Sequence, residues 1–74
     1  MTPDSLIQNL SHHEVEVAAA EALAWRRGGV LQGDALRGIA TRLVAEIGIP
    51  ECDSLRMADS LIVEEAAARY VAHI

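Results

Sequence analysis

Lysine and phenylalanine are both missing from this chain, and its aromatic residues are Trp25 and Tyr70 alone. With so few rings, the bulk of any core has to come from Leu, Ile and Val set among many Ala. Ala-rich helices approach one another closely, but each contributes little apolar area, which favours a core that a further chain completes. The lone cysteine, Cys52, rules out an intrachain disulfide and suits a reducing, intracellular setting. No apolar run nears the ~20 residues of a membrane-spanning helix. Met1 to Leu10 lacks the basic start and long apolar stretch of a signal peptide, so the expected location is the cytoplasm. The absence of Lys beside six Arg points, through codon usage, to a GC-rich bacterial or phage source.

Basic charge is scarce as well. Six Arg stand against eleven Asp and Glu, for a formal net charge of -5. Nucleic-acid binding needs cations gathered on one surface to displace counterions. Here the Arg are scattered from Arg26 to Arg69 among carboxylates, so nucleic acid is not the expected partner. The acidity speaks for solubility and for a basic partner surface.

What the chain does have is helical periodicity. Its 74 residues make one all-α domain, residues 1–74. Thr2, Pro3 and Asp4 read as the N-cap, first position and first turn of a short N-terminal helix that carries Leu6, Ile7 and Leu10. Ser11 and Glu14 form a capping box for a second helix over His12–Arg27, which Gly28 and Gly29 stop. Val15, Ala18, Ala19, Ala22 and Trp25 or Arg26 are its main stripe, yet Val17, Ala20, Leu23 and Ala24 make much of the remaining circumference apolar too. Val30 to Gly33 connect to a helix over Asp34–Ile47, with Asp34 as its N-cap and Leu36, Ile39, Ala40, Leu43, Val44 and Ile47 on one side. That helix is expected to be the central one, and Gly38 inside it to mark a close approach by another helix. Gly48, Ile49 and Pro50 break the chain before a last helix over Glu51–Ala72. Leu55, Ala58, Ile62, Ala66 and Arg69 or Tyr70 make one stripe on it; Met57, Leu61, Ala68 and Val71 make a second. Two stripes need two covers, and the simplest second cover is another copy of the chain. The expected fold is a small bundle of three main helices plus a short N-terminal helix, completed by oligomerisation.

Motifs for chemistry are thin. His12 and Glu16 are spaced i, i+4, and His73 could join them, but a closed metal site wants four ligands and neither a metal nor another cofactor is expected. Cys52 sits between Glu51 and Asp53, which disfavour its thiolate. Residues 39–62 have the helix–break–helix outline of a DNA-binding motif, but the second helix opens with Glu51 and Asp53 and has only Arg56 in its first two turns. Asp53-Ser54-Leu55 and Asp59-Ser60-Leu61 resemble the tripeptide at which acyl carrier proteins receive phosphopantetheine. One residue of the longer carrier motif is missing between Leu61 and Val63, so Ser60 is read as a helix-surface or small packing residue.

The sequence therefore leads to a non-enzymatic, acidic helical protein acting through protein–protein interaction, as a regulator, inhibitor or adaptor. Its expected partners are itself, as a homo-oligomer, and another protein. Trp25, Arg26, Arg27 and Tyr70 are the candidate partner-binding residues, because Trp, Tyr and Arg dominate interface energetics. The alternatives are a compact helix-turn-helix transcriptional regulator and a carrier or small-ligand-binding module.

Overall fold

The computed structural model of the chain describes residues 1–71. Helix α1 spans Pro3–Gln8, α2 His12–Arg26, α3 Ala35–Arg42 and α4 Glu51–Val71; a π-helical segment, Leu43–Ile47, continues α3. The domain is all-α, with no strand among the described residues. The expected last helix reaches to Ala72, which lies outside those residues, as does His73.

The helix starts are legible chemistry. Thr2 Oγ1 accepts the Ser5 N–H at 3.2 Å, with Pro3 at the first turn where its missing N–H is harmless. At α2 the reciprocal box forms: Ser11 Oγ accepts the Glu14 N–H at 3.1 Å, and Glu14 Oε1 accepts the Ser11 N–H at 3.4 Å. The start of α3 differs from expectation. Asp34 occupies the N-cap position but makes no side-chain cap. Glu21 of α2 supplies it instead, its carboxylate accepting the N–H of Ala35 at 3.3 Å and of Leu36 at 3.1 Å. A carboxylate there also meets the positive end of the α3 dipole. Gly33 makes the arrangement possible twice over. Its φ is +79°, and a Cβ on it would stand 2.7 Å from Glu21 Oε2.

The helix expected over Asp34–Ile47 changes character after Arg42. Its last turn widens, and the Gly48 N–H reaches back to Leu43 O at 3.1 Å before Gly48 turns the chain at φ +84°. Leu43 is fully buried there, and Ile47 and Ile49 both pack on the core. The expectation for Gly38 is overturned: nothing lies within 4 Å of a Cβ built on it, so no helix crosses there.

The expected central segment shares that place with α4: α3 and its π continuation touch α1, α2 and α4, and α4 touches α1, α2, α3 and the π segment. Leu6, Ile7, Val15, Leu36, Leu43 and Ile62 are the largest fully buried side chains of a single core cluster. The chain itself covers much of both stripes of α4, although Ala68 of the second is exposed. Ala58 and Ile62 of the first stripe are fully buried, and Met57 and Leu61 of the second are half-buried against the same core. Helices α2 and α4 run antiparallel, because Arg26 at the end of α2 meets Asp59 while His12 at its start meets Arg69 and Tyr70. The total surface, 4689 Å², is near the ~4,400 Å² that size scaling gives a compact monomer of this mass.

Candidate interaction surfaces

A long stretch of bare apolar helix among the described residues lies on α2. His13, Val17, Ala20, Ala24 and Arg27 follow one another at steps of 4, 3, 4 and 3 residues, and all five are exposed. Such spacing draws a single seam along a helix, the geometry by which one helix meets another. Leu23 flanks the seam at 45% exposure, and Val17 within it is 37% exposed. The middle of the seam is Ala20 and Ala24, side chains small enough to let a second backbone come near. Val30, just past α2, is 77% exposed and adds to the apolar character of that end.

The four residues expected to bind a partner are not gathered in one patch. Trp25 is half-buried and packs on the core. Arg26 is exposed but paired: its guanidinium donates from Nε and Nη2 to the Asp59 carboxylate at 2.7–3.1 Å. That carboxylate, by accepting these bonds, holds the guanidinium above its already high range. Arg27 is exposed and makes no ion pair among the described residues. Tyr70 sits at the opposite end of α2, where its hydroxyl donates to His12 O at 3.2 Å. Burial and the nearby Glu16 carboxylate push the Tyr70 phenol above its usual range. Next to it Arg69 donates to Glu65 at 2.6 Å and to the carbonyl of Gln8 at 3.2 Å, tying the end of α1 to α4. Of the four, only Arg27 stands on the exposed seam. The residues that build the rest of that seam were visible as the surplus apolar circumference of the second helix; only their lack of cover was not.

A second feature is a shallow, open groove of about 510 Å³ between α3, the π segment and the start of α4. Ala40, Val44, Ala45 and Leu55 form its apolar part, and Arg37, Thr41, Glu51 and Ser54 its polar part. Its hydroxyls are already engaged: Thr41 donates to Arg37 O at 3.0 Å, and Ser54, which is buried, donates to Glu51 O at 2.8 Å. Among the described residues no imidazole lines this groove, so none of them sets a histidine base beside either hydroxyl.

The remaining sequence candidates are placed as follows. Ser60 is exposed on α4, and Cys52 is an exposed free thiol in its first turn. His12 Nδ1 lies 3.3 Å from the Arg69 guanidinium, an environment hostile to a metal cation. Among the described residues no three His, Cys, Asp or Glu side chains come close enough to share a metal, and no helix is long and apolar enough to cross a membrane. Glu51, Asp53 and Arg56 are all exposed at the start of α4, so carboxylates outnumber arginine where the helix–break–helix outline would meet phosphates. No protein family, curated protein or solved structure matches this chain.

Proposed function

We propose that this chain is a non-enzymatic interaction protein, a small regulator, inhibitor or adaptor, that meets other protein chains, its own copies included, through the outer face of α2. The observation that carries this reading is the exposed seam Val17–Ala20–Ala24 with Leu23 beside it. Bare apolar surface on a small chain tends to mark an interface. The engaged hydroxyls of the groove support binding over catalysis.

A photo-crosslinking side chain tests it. Placed at Val17 or Leu23 in cells that make the protein, it should yield covalent adducts with a protein chain. Placed at Ser60, on the polar outer side of α4, it should yield none. Equal labelling at all three positions, or none at any, would overturn the reading.

A further inference from the structure

We infer that the occupant of the α2 seam is the α2 seam of a second copy, lying antiparallel to it. This deepens the interaction reading above and rests on it. The inference starts from charge. Glu16 and Arg27 are eleven residues apart on α2, which is close to three turns, so both lie on one flank of the seam about 16 Å from each other. Both are exposed; Arg27 makes no ion pair among the described residues, and Glu16 has the Tyr70 phenol beside it but no cation. One flank of one helix thus carries a carboxylate near its start and a guanidinium at its end.

A parallel second copy would carry that flank to the other side of the seam and leave Glu16 and Arg27 facing no opposite charge of this flank. An antiparallel copy, turned about a two-fold axis between Ala20 and Ala24, sets each Arg27 against the partner's Glu16. The same rotation brings Ala20 opposite Ala24 of the partner subunit, so the smallest side chains meet where the two backbones must be closest. It also opposes the two helix dipoles, which a parallel pair would align. Val17 and Leu23 then flank the two-fold axis on either side and lose contact with water. A single helix pair is smaller than the ~1,600 Å² of a standard interface, so the dimer should dissociate in the micromolar range.

The test uses the full chain with Cys52→Ser, so that added cysteines can be labelled alone. Light scattering after size exclusion should show mass rising from one subunit toward two as concentration climbs from about 5 to 500 μM. Ala20→Glu should keep the far-ultraviolet helical signal, since Ala20 is exposed, and should abolish that rise. A nitroxide at His13→Cys should report a partner label beyond about 20 Å in the dimer, because His13 lies far from the two-fold axis; a parallel pair would put it within about 10 Å. A chain that stays monomeric at 500 μM overturns the self-pairing; crosslinks from Val17 to a different protein would at the same time leave the interaction reading standing. A dimer that Ala20→Glu leaves intact, or one with close His13 labels, overturns it as well.

Discussion

Helices α2 and α4 look alike in sequence and end up in opposite circumstances. Each is apolar around most of its circumference, so neither has the single wet side of an ordinary surface helix. In α4 that pattern is answered inside the chain, since α1, α2, α3 and the π segment all pack on it. In α2 the side bearing Val15, Ala18 and Ala22 is fully buried, while the side bearing Val17, Ala20 and Ala24 faces water. A helix without a polar side announces that it wants two covers. It does not announce whether the second comes from its own chain, because that depends on which helices the connections bring alongside.

The sharpest way to break this contrast is to cut equivalent apolar mass from each helix. Ile62→Ala in α4 should cost about 2–5 kcal/mol, because the side chain is fully buried and leaves a cavity. Leu23→Ala in α2 should change stability by no more than about 0.5 kcal/mol at concentrations where the chain is monomeric. Urea denaturation followed by circular dichroism reads both. If the two substitutions cost the same, α2's outer side is not bare.

A second pair of substitutions sharpens where α2's covered side ends. Gly33→Ala should destabilise by more than about 1 kcal/mol, since it forces a side chain into positive φ and against the Glu21 carboxylate. Glu21→Ala should cost about 0.5–2 kcal/mol through loss of the cap on α3. The two costs should fall short of additive in the double variant, because both act on one contact. Gly38→Ala should go the other way and stabilise by about 0.5–1 kcal/mol, as its site is open and helical. Thermal melts of the four variants order these effects, and a destabilised Gly38→Ala would mean that something does approach α3 there.

These contrasts also show how far the sequence could be read. The local chemistry was legible: Thr2, the Ser11–Glu14 box and Pro3 act within a few residues of themselves, and their rules need no tertiary knowledge. The two stripes of the last helix were legible as well. The place of Asp34–Ile47 against every other helix was legible too; that α4 shares it follows from three-dimensional adjacency rather than from its own pattern. The cap that Glu21 provides is fourteen residues from Ala35 in sequence and has no local signature. For the candidate surface, composition rules directed attention to Trp25, Arg26 and Tyr70. Trp25 packs on the core, while Arg26 and Tyr70 bond to Asp59 and His12 and still keep exposed surface. The less conspicuous Val17, Ala20 and Ala24 were left outside.

The smallest effect lies where α2 begins and α4 ends, the one place at which the two helices are joined by a phenol. Tyr70 is the only tyrosine in the chain, so its ionisation can be followed directly by ultraviolet absorbance. Burial first, and the Glu16 carboxylate second, raise its pKa above the ordinary 10.0, with Arg69 opposing weakly. The folded chain therefore holds this proton more tightly than the unfolded one does. The stability tied to it is fully present below pH 10 and fades as the pH climbs from there through the raised value. Melting temperatures of the native chain should fall more steeply across that alkaline interval than those of Tyr70→Phe, which lacks the proton. Glu16→Gln should move the absorbance midpoint back toward 10 without restoring it fully, because burial remains. A midpoint at 10 in the native chain would mean that Tyr70 stands free of α2, and the antiparallel contact would then rest on Arg26 and Arg69 alone.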